Sequence, residues 1–150
     1  MIRMRIPTQN DYKSMASILK KYSINEKEFI SNEKQVFIMI EKNKVIGLSK
    51  YQPFEKYGVI DFIGYDIDFL DNSYRDAFFR GTLNLIMNNG LFKAIVLTTK
   101  ENHNFYETYG FDSVEETSVE ELKEENIYTS EIIGGFKIDI ERFFNRPCSS

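Results

Sequence analysis

Tyr106 lies in the segment Asn104-Phe105-Tyr106-Glu107-Thr108-Tyr109-Gly110-Phe111, a few residues after the apolar run Ala94-Ile95-Val96-Leu97. The pattern is an apolar strand, a short polar loop, one amphipathic helical turn carrying a tyrosine, and Gly-Phe opening another strand. Gly110 falls where a helix C-cap needs positive φ, and Phe111 begins the next buried run. The phenol presented this way is a proton donor with an ordinary pKa of about 10. Carboxylates supply the other proton-transfer groups: Asp61, Asp66 and Asp68 alternate with apolar residues along one β-rich run. An alternating strand also puts such residues against solvent with no chemistry to do. The single histidine, His103, sits in the polar loop Lys100-Glu101-Asn102-His103 and reads as exposed. Cys148, the only cysteine, has no nearby histidine to form a thiolate, and no ligand spacing suggests a metal.

The elements that must position these groups follow from periodicity. Arg3 to Ile6 reads as a strand stopped by Pro7, and Thr8-Gln9-Asn10-Asp11 starts a helix bearing Tyr12, Met15, Ala16, Ile18 and Leu19. A short helix around Glu26 to Ser31 follows. Two β-rich runs, Gln35 to Glu41 and Lys44 to Tyr51, flank Lys42-Asn43, a tight hairpin turn without the preferred glycine. A third runs from Tyr57 to Asp66, with Gly64 expected to mark a bulge. The longest helix is expected after Ser73, with Ser73-x-x-Asp76 as a capping box, ending at Asn89-Gly90. Lys93 to Thr98 is the next strand. The acid-rich stretch 114–130 reads as a solvated loop with a short helix at Ser118 to Glu125. Gly134-Gly135 then leads into an alternating strand over Phe136 to Ile140.

Composition bounds the class. The chain has 150 residues, 42% of them hydrophobic, with 13 Phe, 9 Tyr and a formal charge of −4. This is one globular domain's worth of residues (1–150 as a single unit), and the acidic balance excludes a general nucleic-acid binder. No apolar run approaches the ~20 residues of a membrane span, and the N-terminus lacks a signal-peptide core. The expected setting is cytoplasmic.

The order β, α, α, β, β, β, long α, β, short α, β, β, together with Tyr106-Glu107-x-x-Gly110-Phe111, resembles the GCN5-related N-acetyltransferase family over essentially the whole chain. The resemblance implies an α/β (α+β) fold, a mixed, mostly antiparallel sheet with helices on both faces. Strands four and five would diverge to admit acyl-coenzyme A. It implies acetyl-CoA as co-substrate, a small-molecule amine as acceptor, and Tyr106 as the acid that protonates the departing thiolate. Asp66 is then the general base best placed by sequence. Main-chain groups near Tyr65-Asp66-Ile67 would hold the pantetheine arm, and the family's asparagine would fall on Asn102.

The family's loop of pattern Gln/Arg-x-x-Gly-x-Gly/Ala, whose amides hold the diphosphate, falls on Leu70-Asp71-Asn72-Ser73-Tyr74-Arg75. It departs there at every diagnostic position. Ser73, Tyr74, Arg75 and Asp76 remain the candidate cofactor contacts, with Arg75 and Arg80 offering guanidinium groups where glycines would expose amides. Two rival readings accompany the enzyme. One is a non-catalytic sensing or interaction module on the same scaffold with its cofactor loop lost; the other is a homodimer using Phe143, Phe144 and the C-terminal strand as interface.

Overall fold

The computed structural model describes residues 1–31, 33–66, 71–125 and 131–145. Along the chain come β1 (Ile2–Arg5), α1 (Tyr12–Lys21), α2 (Glu26–Phe29), β2 (Val36–Glu41), β3 (Lys44–Phe54) and β4 (Tyr57–Tyr65). Then follow α3 (Asn72–Asn88), β5 (Lys93–Thr99), α4 (His103–Glu107), β6 (Asp112–Ser113), α5 (Glu116–Glu125), β7 (Ile132–Asp139) and α6 (Ile140–Phe144). The seven strands form one mixed sheet in the order β1-β2-β3-β4-β5-β7-β6. Pairs β1–β2, β2–β3, β5–β7 and β6–β7 are antiparallel, and β4–β5 is parallel over Tyr57↔Lys93 to Ile60↔Val96. This mixed, mostly antiparallel sheet, with six helices among the described residues, has the α/β fold class read from the sequence. Among the described residues no helix is long and apolar enough to cross a membrane.

The chain divides into two compact units, Met1–Tyr51 with Phe62–Leu85, and Gln52–Asp61 with Ile86–Ser150. In the first, α1 buries Met15, Ile18 and Leu19, the residues its helical period selects. Met39, Ile46 and Phe78 form a core cluster against which Phe37, Ile63, Tyr65 and Tyr74 pack. The β2–β3 hairpin turns through Lys42 and Asn43 at φ of 51° and 63°, the left-handed geometry such a turn requires even without glycine. β4 runs on to Tyr65, and a Cβ at Gly64 would come within 2.7 Å of the Phe62 ring and 2.9 Å of the Tyr22 ring. The missing side chain makes room for aromatic packing, in which Phe62 meets Tyr22 edge-on at 5.1 Å.

In the second unit, Val59, Ile95, Leu97, Val114 and Ile132 form a core completed by Val119 and Leu122 of α5. Two apolar residues at i, i+3 thus draw part of the acid-rich stretch into a helix that begins at Glu116, two residues before the expected start. Gly134 and Gly135 lie inside β7 rather than in a loop before it. A Cβ at Gly135 would sit 3.1 Å from the Val96 carbonyl oxygen, so close main-chain approach selects glycine there. Gly110 has φ of +76°, as the C-cap reading of Asn104–Phe111 requires. Phe143 is buried, with Tyr109 at 5.6 Å and Phe111 at 5.4 Å between ring centroids. Of the pair assigned to a dimer interface, only Phe144 is exposed.

Candidate functional site

β5 passes into α4 through a turn that Asn102 closes. The Thr99 N–H donates to Asn102 Oδ1 at 2.7 Å, and the Asn102 N–H returns to the Thr99 carbonyl at 3.2 Å. The amide oxygen of Asn102 is therefore engaged in holding the turn. One turn on, Tyr106 is 1% exposed, its ring edge-on to Phe105 at 5.1 Å. His103 is not the exposed loop residue its sequence context indicates. It opens α4, with Nδ1 2.8 Å from Thr98 Oγ1, Nε2 3.4 Å from Glu107 Oε2, and its ring 4.9 Å from that of Phe136. A carboxylate only accepts, so the Glu107 contact calls for a proton on Nε2, while the bond between Thr98 Oγ1 and Nδ1 can run in either direction. The i, i+4 spacing of His103 and Glu107 was the sequence signal for this contact.

At the end of β4, the main chain expected to hold a pantetheine arm already has partners. The Tyr65 N–H points to Tyr22 Oη at 3.5 Å, and the Tyr65 carbonyl accepts from Lys21 Nζ at 3.2 Å. The Asp66 N–H donates to the Ile46 carbonyl at 3.0 Å, and its carboxylate holds Lys44 Nζ at 2.8 Å. Ile67 and Asp68 lie outside the described residues, as do Leu70 and Cys148. Asp61 is 5% exposed and accepts from Gln52 Nε2, so it does not face solvent as the strand alternation implies.

α3 starts at Asn72, earlier than the sequence capping box puts it, and its cap is Asp71 rather than Ser73. Asp71 Oδ1 accepts from the Ser73 N–H at 2.8 Å and the Ser73 hydroxyl at 2.7 Å. Those two bonds, the hydroxyl's first, hold the exposed Asp71 carboxyl below its usual pKa. Ser73 lost the contest because Asp71, two residues back, offers a charged acceptor where Ser73 offers a neutral one. Asp76 binds Arg80 Nε at 2.9 Å one turn on, so neither end of that pair stands at the start of the helix. Tyr74 packs on the Met39–Ile46–Phe78 cluster.

Arg75 behaves differently. Its guanidinium carbon lies 5.4 Å from the centroid of the Tyr65 ring. The Arg75 Nε and the Tyr65 Oη are both buried and without a hydrogen-bond partner among the described residues. Burial pushes the Tyr65 phenol far above its usual pKa, against the opposing pull of the Arg75 charge. Of the residues singled out by sequence, then, Tyr65 and Arg75 are brought together, and Asn102 and Tyr106 share one turn.

A scan of family models finds no match for the chain, and a search of curated proteins finds none. Solved structures do match. N-acetylglutamate synthase from Neisseria gonorrhoeae, complexed with coenzyme A and N-acetyl-glutamate, superposes with TM-score 0.75 at 12% identity. The match covers 93% of the chain and 35% of the synthase, so the chain spans about a third of that protein's length. A ribosomal-protein alanine N-acetyltransferase from Escherichia coli gives 0.63 at 17% identity, over 77% of the chain and 80% of the enzyme. An N-acetyltransferase from Staphylococcus aureus Mu50 gives 0.69 at 13% identity, over 94% and 99%. The chain has the fold of the GCN5-related N-acetyltransferases.

Proposed function

We propose that the chain transfers an acetyl or similar acyl group from acyl-coenzyme A to the amine of a small molecule. The observation that carries this reading is the fold likeness to acetyltransferases, one of them complexed with coenzyme A. Two buried donors without partners among the described residues, Tyr65 Oη and Arg75 Nε, suit a polyanionic cofactor. Acyl-coenzyme A, when bound, supplies the activated thioester. Cofactor contacts are assigned to Tyr65, Ile67, Ser73, Tyr74, Arg75, Asp76 and Asn102.

Tyr106 is assigned as acid. Its phenol gives a proton to the departing sulfur, and a reference pKa of about 10 lies near that of an alkyl thiol, so the transfer is nearly balanced. Asp66 is assigned as base. Its carboxylate already holds one ammonium, that of Lys44. A protonated amine acceptor competes with Lys44 for the same charge and gives one proton to Asp66, which frees the nitrogen lone pair to attack the thioester carbon. The C–S bond then breaks, and the second amine proton replaces the one Tyr106 gives to the thiolate. A non-catalytic reading of the same fold draws on one observation: the start of α3 carries the Asp71 carboxylate, an anion where the family binds an anion.

Calorimetric titration with acetyl-coenzyme A decides between them. The enzyme reading requires saturable heat, and no heat and no melting shift at millimolar ligand removes it. Given binding, Tyr106→Phe is expected to lower kcat by ~10²–10⁴-fold, the range for losing a general acid, while KM moves little. Unchanged turnover in that variant takes Tyr106 out of the mechanism.

A further inference from the structure

We infer that His103 is the positioning residue of the Tyr106 phenol: its imidazole fastens α4 to β5 and β7, and so sets where the assigned acid stands. This role deepens the acyltransferase reading and rests on it for the duty of Tyr106, while the fastening stands on geometry alone.

α4 runs only from His103 to Glu107, five residues and little more than one turn. A helix that short does not hold itself, because isolated helices below ~12–15 residues are marginal in water. The place of the phenol therefore depends on what ties the turn to the sheet. Asn102 Oδ1, which accepts from the Thr99 N–H at 2.7 Å, fixes where the chain enters α4. Rotation of α4 about its own axis needs a second tie, from a side chain on the helix itself. His103 supplies it. Nδ1 lies 2.8 Å from Thr98 Oγ1 on β5, and the ring lies 4.9 Å from that of Phe136 on β7. One strand thus holds the imidazole by a nitrogen and another by its face. Whichever partner donates in the Thr98 bond, the tie is the same.

The strands are shaped for this ring. Thr98 and Phe136 are both buried, so the atoms that hold the imidazole belong to the packed sheet. A Cβ at Gly134 of β7 would come 3.3 Å from His103 Cε1 and 3.5 Å from both Nδ1 and Thr98 Oγ1. The absent methyl leaves the imidazole its place. The other nitrogen, Nε2, lies 3.4 Å from Glu107 Oε2 one turn along the same helix. A ring engaged at both nitrogens and on one face has one orientation, and satisfied polar contacts of this kind rigidify what they join. Tyr106 sits between His103 and Glu107 on that turn, so any rotation of α4 carries the phenol with it. Moving a reacting group by ~1 Å costs on the order of 10²-fold in rate, which makes the fastening matter to proton transfer.

The test uses the full chain and two readouts. In protein carrying 3-fluorotyrosine, the Tyr106 fluorine resonance is assigned by its loss in Tyr106→Phe. His103→Asn keeps an amide where Nδ1 stood, toward Thr98, and His103→Gln keeps one where Nε2 stood, toward Glu107. Both lack the imidazole, so a difference between them reads the Thr98 tie. The resonance is expected to lie near its wild-type position in His103→Asn and to move in His103→Gln and His103→Ala. The second readout is coenzyme A release from acetyl-coenzyme A, with L-amino acids and diamines as acceptors. His103→Ala is expected to lower kcat by ~10–100-fold with the KM for acetyl-coenzyme A little changed, and His103→Asn to restore it to within ~3-fold. In the Tyr106→Phe background, His103→Ala is expected to cost nothing further, because the group it positions is gone. Melting temperatures separate misplacement from unfolding, and the Asn and Gln variants carry the test if His103→Ala unfolds. The same resonance in the Asn and Gln variants, an unchanged kcat in His103→Ala, or losses that multiply in the double variant each overturn the role and leave the acyltransferase reading intact. A resonance that separates Asn from Gln, with no coenzyme A released by the wild type, supports the fastening of Tyr106 and removes the acyltransferase reading.

Discussion

Tyr65 shows how much one oxygen atom can carry. The ring is held by Phe78, by the Arg75 guanidinium and by the Met39–Ile46 cluster, while the hydroxyl on it bonds to nothing described. An unpaired buried hydroxyl costs ~1–3 kcal/mol, because water is lost and nothing replaces it. Tyr65→Phe keeps the packing and removes the cost, so without ligand the variant is expected to be more stable than wild type by ~1 kcal/mol in urea denaturation. A loss of stability of that size would mean the oxygen has a partner in solution. The expected trade is then explicit: the substitution stabilises the empty protein and weakens anion binding, the pattern of a group kept for a ligand. His103 makes the complementary point. Its Thr98 and Glu107 contacts leave neither ring nitrogen unused, so imidazole chemistry needs a partner to be displaced first.

At the scale of elements, β1 is tied to the 3-10 turn before α1 (Gln9–Asp11) by Arg5 and Asp11, with Arg5 Nη2 2.9 Å from Asp11 Oδ1. The Arg5 hydrogen bond leads the effects that hold the Asp11 carboxyl down at about 2, assisted by the Thr8 N–H and hydroxyl. A carboxyl whose folded pKa lies below its unfolded value adds stability above about pH 4 and loses it as pH falls toward 2. Arg5 is partly solvated, so the contribution is about 1 kcal/mol rather than the full linkage value. Asp11→Asn is expected to lower stability by about that much at pH 7 and to flatten the acid limb between pH 4 and 2. An unchanged acid limb would show that the tie contributes nothing. The element order was legible because period, caps and turn residues agree: the α1 face, the Lys42-Asn43 hairpin and the Gly110 cap each follow from local chemistry. What was not legible depended on contacts distant in sequence. The Tyr22 ring that crowds Gly64 comes from the end of a distant helix, and Gly134-Gly135 read as leading into the strand until the Val96 carbonyl is seen beside Gly135. The α3 cap was misassigned because a serine with an acid three residues on looks like a capping box, whereas the charged Asp71 was the stronger acceptor. The candidate site was legible as residue types at Tyr65 and Arg75. Their missing partners were not, since absence of a bond is not written in a sequence.

At the scale of the whole molecule, the two compact units do not correspond to two stretches of chain with a linker. β3, β4 and α3 each run through the boundary, which falls at Tyr51/Gln52, Asp61/Phe62 and Leu85/Ile86. Melting one unit alone would cut three continuous elements partway, abandoning hydrogen bonds in a helix and two strands at each cut. A single calorimetric transition is therefore expected, with calorimetric and van't Hoff enthalpies equal. Two transitions would show that each unit's core suffices by itself. Given one transition, ligand binding stabilises the entire folded state by mass action. Acetyl-coenzyme A at a hundred times its Kd contributes about 2.7 kcal/mol, or roughly 5–10 °C in Tm for a chain this long. Arg75→Ala is expected to lose most of that shift at the same ligand concentration, while Tyr106→Phe keeps it in full. The contrast matters because the two residues are assigned opposite duties, one holding an anion and the other giving up a proton. If Tyr106→Phe also loses the shift, the phenol is part of binding, and the acid must be sought elsewhere.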